Sequence, residues 1–407
     1  MKKYLILGLG RSGKSAAFFL LNQNKEIICV DDNLVEDEQI KKLKEKNVPV
    51  LKDFSDFSDI EKIIVSPGIS PNHEIISEAI KRNIEVIGEI ELGVLYLKNR
   101  CIGITGTNGK TTLTKLLAHI FNNNNKVAYA LGNVGTPLTS YIDKFGRDDI
   151  IVLELSSFQL ETMKTKFLDA AVIINITPDH LDRYPSFKEY GIAKLNIINC
   201  LKDDKKLYTT KKIIKNYLSD NNKNEIKQVT EESENIAIKI CLDFGIQKKD
   251  ILNSIKTFQK DKHRIEFVRE IKGISFYNDS KATNVHSVIF AVKKFKKPII
   301  LIAGGVDKGF TYKVWKRSFK NKVKTVLAIG QSREKIKNEL KGFDVLLCDS
   351  LKSAIDKAYA LAQRNDNILF SPGCSSFDMF KNYEHRGDEF KKIVNGIEGE
   401  KCLEEIL

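Results

Sequence analysis

The chain has 407 residues, with 66 Lys and Arg against 53 Asp and Glu, for a formal charge of +13. That length allows roughly two to four domains, each with its own core. The basic residues are scattered rather than gathered with aromatics into a stripe, which describes a solvated surface suited to anionic substrates and argues against nucleic acid as a partner. The cysteines (Cys29, Cys101, Cys200, Cys241, Cys348, Cys374, Cys402) are widely spaced and form no Cys-x-x-Cys pair, which fits a reducing, cytoplasmic setting without structural zinc. No apolar run reaches spanning length, and Met1-Lys2-Lys3 runs straight into a short apolar stretch, so neither membrane insertion nor a signal segment is expected.

Short apolar runs alternate with amphipathic stretches, the pattern of parallel sheets covered by helices, so the class is α/β. A strand at 3–7 leads into Gly8-Leu9-Gly10-Arg11-Ser12-Gly13, a helix to about residue 22, and a strand at 26–30 ending in Asp31-Asp32. This is a Rossmann-like opening unit. A strand at 63–65 runs into Ser66-Pro67-Gly68-Ile69, and Glu91-Leu92-Gly93 precedes a boundary placed near Leu95.

The apolar run 101–104 then meets Thr105-Gly106-Thr107-Asn108-Gly109-Lys110-Thr111, read as a phosphate loop between strand and helix. Gly106 and Gly109 let backbone N–H groups face an anion, Lys110 adds a cation, and the Thr111 hydroxyl can hold Mg²⁺. Ile104 stands where the strict pattern has glycine, so the loop is a variant. A strand at 150–153 ends in Glu154, a carboxylate able to reach a metal at that loop. A further strand at 171–176 carries Thr177-Pro178-Asp179-His180-Leu181-Asp182-Arg183-Tyr184 at its tip, which puts His180 on the same sheet edge as a structural residue or a metal ligand. Periodicity fades over 202–227 into polar loop or helix, and the middle segment runs to about Phe258. A third unit begins near Arg264, with strands at 274–277, 298–303, 323–329, 345–347 and 368–370. Ser376, before Asp378-Met379-Phe380, reads as a helix N-cap. Spacing alone makes Lys194 a solvated helix residue.

Gly-Thr-Asn-Gly-Lys-Thr (106–111), Leu-Glu-Leu-Ser-Ser-Phe-Gln-Leu (153–160), Asp-His-Leu-Asp-Arg-Tyr (179–184) and Asp-Ser-Lys-Ala-Thr-Asn (279–284) occur in that order. Together they resemble the Mur ligase family across nearly the whole chain. Segments 8–13, 66–69 and 371–387 are similar to its D-glutamate-adding members. The resemblance implies three domains: a Rossmann-like N-terminal UDP-sugar domain (1–95), a central phosphate-loop ATPase domain (96–260) and a Rossmann-like C-terminal amino-acid domain (261–407). It implies an ATP-dependent, amide-bond-forming ligase of peptidoglycan precursor synthesis, cytoplasmic and monomeric, joining D-glutamate to UDP-N-acetylmuramoyl-L-alanine through an acyl phosphate. Another amino-acid-adding member of the family is the alternative.

By the same resemblance, ATP is held by Gly106, Thr107, Asn108, Gly109, Lys110, Thr111, Thr112, Asn235, Arg264, Asp279, Lys281 and Thr283. Two Mg²⁺ sites are implied, from Thr111, Glu154, His180 and a carbamylated Lys194, so that Lys110, Glu154, His180 and Lys194 are the catalytic set. The UDP-sugar falls to Gly10, Arg11, Ser12, Asp31, Ser66, Asn133 and His180, and D-glutamate to Thr283, Lys308, Ser376 and Tyr383. An ammonium beside Mg²⁺ would be repelled, so a lysine facing a metal must lose its charge, and carbamylation supplies an oxygen in its place. Asn33 and Ile238 depart from the family pattern at the uracil and adenine positions, and the 200–234 segment is short, implying a trimmed sheet edge. Two readings lie outside the family. A nicotinamide-dependent oxidoreductase would explain residues 8–13 with Asp31 but not the 105–111 loop. A non-catalytic nucleotide- or nucleic-acid-binding protein would explain Lys110 but not Glu154 with His180.

Overall fold

Three sheets built from buried strands organise the chain, whose computed structural model describes residues 2–180, 183–218, 225–259 and 261–397. Leu181, Asp182, Cys402 and residues 219–224 of the shortened segment lie outside the described residues. The chain divides into two units, Met1–Phe258 and Gln259–Leu407. The first holds two sheets and the second holds one.

The first sheet has β1 (Lys3–Leu7), β2 (Ile27–Val30), β3 (Val50–Leu51), β4 (Ile60–Val65) and β5 (Glu85–Gly88), all parallel in the order β3-β2-β1-β4-β5. Leu5, Ile6 and Leu7 are buried on both faces, as a central parallel strand requires. Leu7 pairs with Val30 on one side and Val65 on the other. The strand order reverses there, so the loops after β1 and β4 open into one crevice.

The second sheet has β6 (Arg100–Thr105), β7 (Ala128–Gly132), β8 (Ile150–Glu154), β9 (Leu168–Ile173), β10 (Leu201–Thr210) and β11 (Glu225–Val229), in the order β11-β10-β9-β6-β8-β7. Successive side chains alternate between faces. Ile102, Ile104, Val152 and Val172 pack with Leu113, Leu117 and Phe121 of the helix Lys110–Asn122, while Cys101, Ile151, Leu153, Ala171 and Ile173 pack with Tyr190 and Ile197 beneath. The register sets Ile104 opposite Glu154 and Thr105 opposite Ile173, so the tips of three neighbouring strands meet at the phosphate loop.

Two sequence expectations change here. The strand expected to reach residue 176 ends at Ile173, because Asn175 turns its side chain back onto the phosphate loop. The stretch 202–227, expected to be polar loop or helix, forms β10, the helix Lys211–Tyr217 and β11. Leu207 and Tyr208 fill opposite faces of the sheet, which holds so polar a segment as strand.

The region of the expected boundary at Leu95 is a buried junction. The helix Glu89–Val94 sends Ile90 and Val94 into the core of the second sheet beside Leu138 and Ile151. Glu89 accepts 2.7 Å hydrogen bonds from the Thr139 N–H and hydroxyl, Ser15 Oγ lies 2.7 Å from that hydroxyl, and Glu91 accepts from the Thr165 N–H and hydroxyl at 3.0 and 2.7 Å.

The second unit has β12 (Glu266–Ile271), β13 (Ile274–Asn278), β14 (Ile299–Gly304), β15 (Val323–Ile329), β16 (Asp344–Leu347) and β17 (Asn367–Phe370), in the order β12-β13-β17-β14-β15-β16. Only β12 runs antiparallel among these. Its two cores lie on opposite faces of the sheet, one around Trp315 and one around Phe370 and Phe390.

Candidate active site

Gly109 sits in the left-handed region (φ 89°) and caps the helix Lys110–Asn122, a turn that a side chain would oppose. Asn175 fixes the loop before it: its Oδ1 accepts from the N–H groups of Thr107 (3.1 Å) and Asn108 (2.9 Å), and its Nδ2 donates to the Asn108 carbonyl (3.3 Å). The Thr107 hydroxyl bonds the Thr177 carbonyl and accepts the Thr177 N–H, which fastens the loop to the segment leading to His180. Lys110 Nζ donates to the carbonyls of Gly106 (2.8 Å) and Thr107 (3.0 Å) within its own loop, and Thr111 is buried in the first helical turn.

Glu154 ends β8 beside this loop at 2 % exposure. Its Oε1 accepts from Asn133 Nδ2 at 2.9 Å, while its buried Oε2 has no hydrogen-bond partner. A buried carboxylate oxygen with no donor is a costly arrangement unless a cation is to meet it. His180 has a positive φ of 53°, packs edge-on to Phe158 at 4.9 Å, and takes a backbone N–H···Oδ1 bond to Asp179.

Lys194 departs most from its spacing. It is 2 % exposed, with Nζ 3.0 Å from the Gly106 carbonyl and 4.7 Å from the Tyr190 ring centre. Burial, then the nearby Lys110 charge, push its ammonium well below the ordinary lysine range, against the pull of Asp179 and Glu154. The expectation of a solvated lysine is thus overturned. The outward position in the same helix belongs to Ile192, which is exposed.

At the first sheet, Asp31 accepts the Leu9 N–H at 2.6 Å and the Asn33 N–H at 2.9 Å, and the Ser66 hydroxyl donates to the Gly8 carbonyl at 2.7 Å. Both side chains shape the 8–10 turn, beside Gly10 at the helix N-cap and Ser12 in its first turn. Arg11 donates to the Gly135 carbonyl. Asn133, expected at the UDP-sugar, spends its side chain on Glu154.

In the second unit Thr283, Lys308 and Ser376 follow β13, β14 and β17, which are adjacent strands, and Tyr383 opens the helix Tyr383–Asn395. Ser376 begins a turn rather than capping a helix, its carbonyl accepting from Met379 and Phe380. Asp279 is buried, accepting from the Ile265 N–H (3.2 Å) and Ser371 hydroxyl (2.7 Å), and burial pushes its carboxyl up to about 7. Lys281 Nζ lies 3.8 Å from Asp261 and 5.6 Å from the Tyr383 ring centre, and Arg264 Nε is buried without a partner. Asn235 Oδ1 accepts the Thr230 N–H at 3.2 Å in the first turn of the helix Ser233–Asp243.

The sequence matches the Mur ligase MurD-like N-terminal domain over residues 2–88, the Mur ligase middle domain over 104–290 and the Mur ligase glutamate ligase domain over 263–374. It is 43 % identical to the UDP-N-acetylmuramoylalanine--D-glutamate ligase of Protochlamydia amoebophila, across 97 % of this chain and 98 % of that one. The protein belongs to the Mur ligase family. The enzyme of the same description from Caldanaerobacter subterraneus subsp. tengcongensis is 37 % identical over the same shares. Among solved structures, a MurF ligase from Thermotoga maritima in complex with ADP is similar in fold at a TM-score of 0.60 and 14 % identity, covering 97 % of this chain and 98 % of that one. A pseudomurein peptide ligase type C from Methanothermus fervidus is similar at 0.57 and 17 %, covering 98 % and 100 %.

As a Mur ligase the chain is an ATP-dependent, amide-bond-forming enzyme, and the oxidoreductase and non-catalytic readings fall away. No three His, Cys, Asp or Glu side chains among the described residues form a ready metal cluster. The unpartnered Glu154 oxygen, a buried threonine and a histidine at one sheet edge nonetheless fit a hard cation shared with phosphate oxygens, which keeps few protein ligands. Sequence reading gave no role to Asn175 or Tyr190. Tyr190 lies with its hydroxyl 3.2 Å from Thr107 Oγ1.

Proposed function

We propose that this Mur ligase joins D-glutamate to UDP-N-acetylmuramoyl-L-alanine with hydrolysis of ATP to ADP and phosphate. The observation that carries the chemistry is the meeting of the phosphate loop with Glu154, one of whose buried oxygens lacks a partner. The amino acid follows from the matched glutamate ligase domain and from relatives named for D-glutamate. The six cysteines among the described residues are buried and form no disulfide, which suits a reducing compartment, and we place the enzyme in the cytoplasm. No helix among the described residues is long and apolar enough to cross a membrane.

In this reading the L-alanyl carboxylate attacks the γ-phosphorus, giving an acyl phosphate and ADP. The D-glutamate amine then attacks the acyl carbonyl and phosphate leaves. Lys110 exchanges its two loop carbonyls for β- and γ-phosphate oxygens, offsetting charge on the transferring group. Thr111 and Glu154 would hold one Mg²⁺, and His180 with Glu154 and carbamylated Lys194 a second. Mg²⁺ bound there would supply positive charge to offset that of the phosphates. Asn133 holds the Glu154 carboxylate in place. Gly106, Thr107, Asn108, Gly109 and Thr112 complete the phosphate cradle, Asn235 serves the adenine, and Arg264, Asp279, Lys281 and Thr283 are further residues we assign to ATP.

Gly10, Arg11, Ser12, Asp31, Ser66, Asn133 and His180 are assigned to the UDP-sugar. Thr283, Lys308, Ser376 and Tyr383 take D-glutamate, a cation with hydroxyls for a dicarboxylate. The test is phosphate release with UDP-N-acetylmuramoyl-L-alanine and each of D-glutamate, L-glutamate, D-alanine and L-lysine. Turnover is expected with D-glutamate alone. Turnover with another amino acid and none with D-glutamate would replace the substrate while leaving the ligase chemistry.

A further inference from the structure

Arg386 lies in the helix Tyr383–Asn395 at 1 % exposure, and nothing above gives it a role. Its guanidinium makes three hydrogen bonds, all to neutral oxygens: Nε to the Ser280 hydroxyl (3.0 Å), Nη2 to the Ser280 carbonyl (2.8 Å) and Nη1 to the Cys374 carbonyl (3.1 Å). A buried guanidinium without a carboxylate bonded to it is expensive, so packing alone does not explain an arginine here. Its planar fork of donors does what an ammonium cannot, reaching in fixed directions to two separate loops at once.

Those loops carry the residues assigned to D-glutamate. Ser280 is three residues before Thr283, after β13, and Cys374 is two before Ser376, after β17. The Ser280 hydroxyl that accepts from Arg386 donates onward to the Tyr383 carbonyl at 2.9 Å, so the arginine also orders the start of the helix bearing Tyr383. The β14 loop joins the set, since the Val306 N–H donates to the Ser375 carbonyl at 3.0 Å, two residues before Lys308. A further bond, from the Gly373 N–H to the Ala282 carbonyl at 2.8 Å, runs between the same two loops, and the guanidinium ties both of them to the helix.

We propose that Arg386 is a positioning residue of the amino-acid site, whose guanidinium sets the spacing between the Thr283, Ser376 and Tyr383 segments. The proposal rests on the D-glutamate assignment above. It makes a distinction that a general stabilising role would not. D-glutamate is assigned to all of the clamped segments, whereas the ATP contacts assigned to this unit lie on 264 and on the 279–283 segment alone, so the spacing between segments matters to the amino acid. Loss of the fork therefore falls more heavily on the amino acid.

The experiment compares wild type, Arg386→Lys and Ser280→Ala in the complete chain, measuring KM for D-glutamate, KM for ATP and the melting temperature. Arg386→Lys keeps the charge and loses the fork. It should raise KM for D-glutamate at least roughly tenfold while KM for ATP stays within about threefold. Ser280→Ala removes the Nε acceptor and the relay to Tyr383 but keeps the two carbonyl bonds, and a smaller rise of the same selectivity is expected. Equal rises for both substrates, or a lower melting temperature with an unchanged KM for D-glutamate, would overturn the proposal. If Arg386→Lys does not fold, Ser280→Ala decides by the same criterion. If wild type turns over with a different amino acid, the D-glutamate assignment fails, and the clamp is read with that amino acid.

Discussion

Lys194 Nζ faces the Gly106 carbonyl, so two roles compete for one side chain: a hydrogen-bond donor that braces the phosphate loop, or an amine that captures CO₂. Lys194→Ala separates them. If the lysine carries a carbamate, activity should fall about a hundredfold or more. A small carboxylate such as acetate, entering the space left by truncation, should then restore part of it by supplying the missing oxygen. A brace for the loop would not respond to carboxylates, so an unrescued loss would exclude the carbamate. The positions of Glu154 and His180 beside the phosphate loop were legible in sequence because each follows a buried apolar run of the same sheet. Lys194 was not, because its helix inverts the usual pattern, with Ile192 outward and Lys194 inward. Asn175 was hidden for a related reason: the apolar run continues past it to Ile176, so the residue read as strand while its side chain serves the neighbouring loop.

The helix Arg11–Asn22 and the turn before it are locked by a close approach. A Cβ at Gly13 would stand 1.8 Å from the Gly8 carbonyl oxygen, far inside contact distance, with no flexible side chain to give way. Gly13→Ala should therefore push the helix off the turn, costing about 1–3 kcal/mol of stability, and should raise KM for the UDP-sugar more than for ATP. Unchanged melting and kinetics would show that the turn is not so constrained. The junction below it offers a test by pH. Burial pushes the Glu89 carboxyl from its ordinary 4.5 up to about 7. Between those values the folded chain keeps a proton that the unfolded chain has released, so stability falls as pH rises through the window, and the penalty is complete above about 7. Glu89→Gln can still accept both Thr139 bonds and carries no charge. Its melting temperature should match wild type near pH 4 and exceed it at pH 8, by at most on the order of 3 kcal/mol in stability. A constant difference across pH would mean that Glu89 does not titrate in the fold.

At the scale of the whole chain, the three sheets fall into two compact units. The change of motif near Leu95 is a local pattern that says nothing of which apolar faces are shared. The first compact unit runs to Phe258. Around Leu95 the helix Glu89–Val94 gives Ile90 and Val94 to a core that also contains Leu138, Ile151 and Leu153, while Glu89 and Glu91 take their partners from Thr139 and Thr165. Cutting there would expose that apolar face on the second sheet and leave the Thr139 and Thr165 donors without their carboxylates. In the second unit both faces of the sheet are covered by its own helices, with Trp315 and Phe319 in one core and Phe370 and Phe390 in the other. Fragments 1–258 and 259–407 should each melt cooperatively when expressed alone. Fragment 96–258 should not, or should melt far below 1–258, with exposed apolar surface that binds a hydrophobic dye. Circular dichroism melting of the three fragments decides the matter. If 96–258 unfolds as sharply and at the same temperature as 1–258, the buried junction contributes little, and the first two sheets are separate folding units after all.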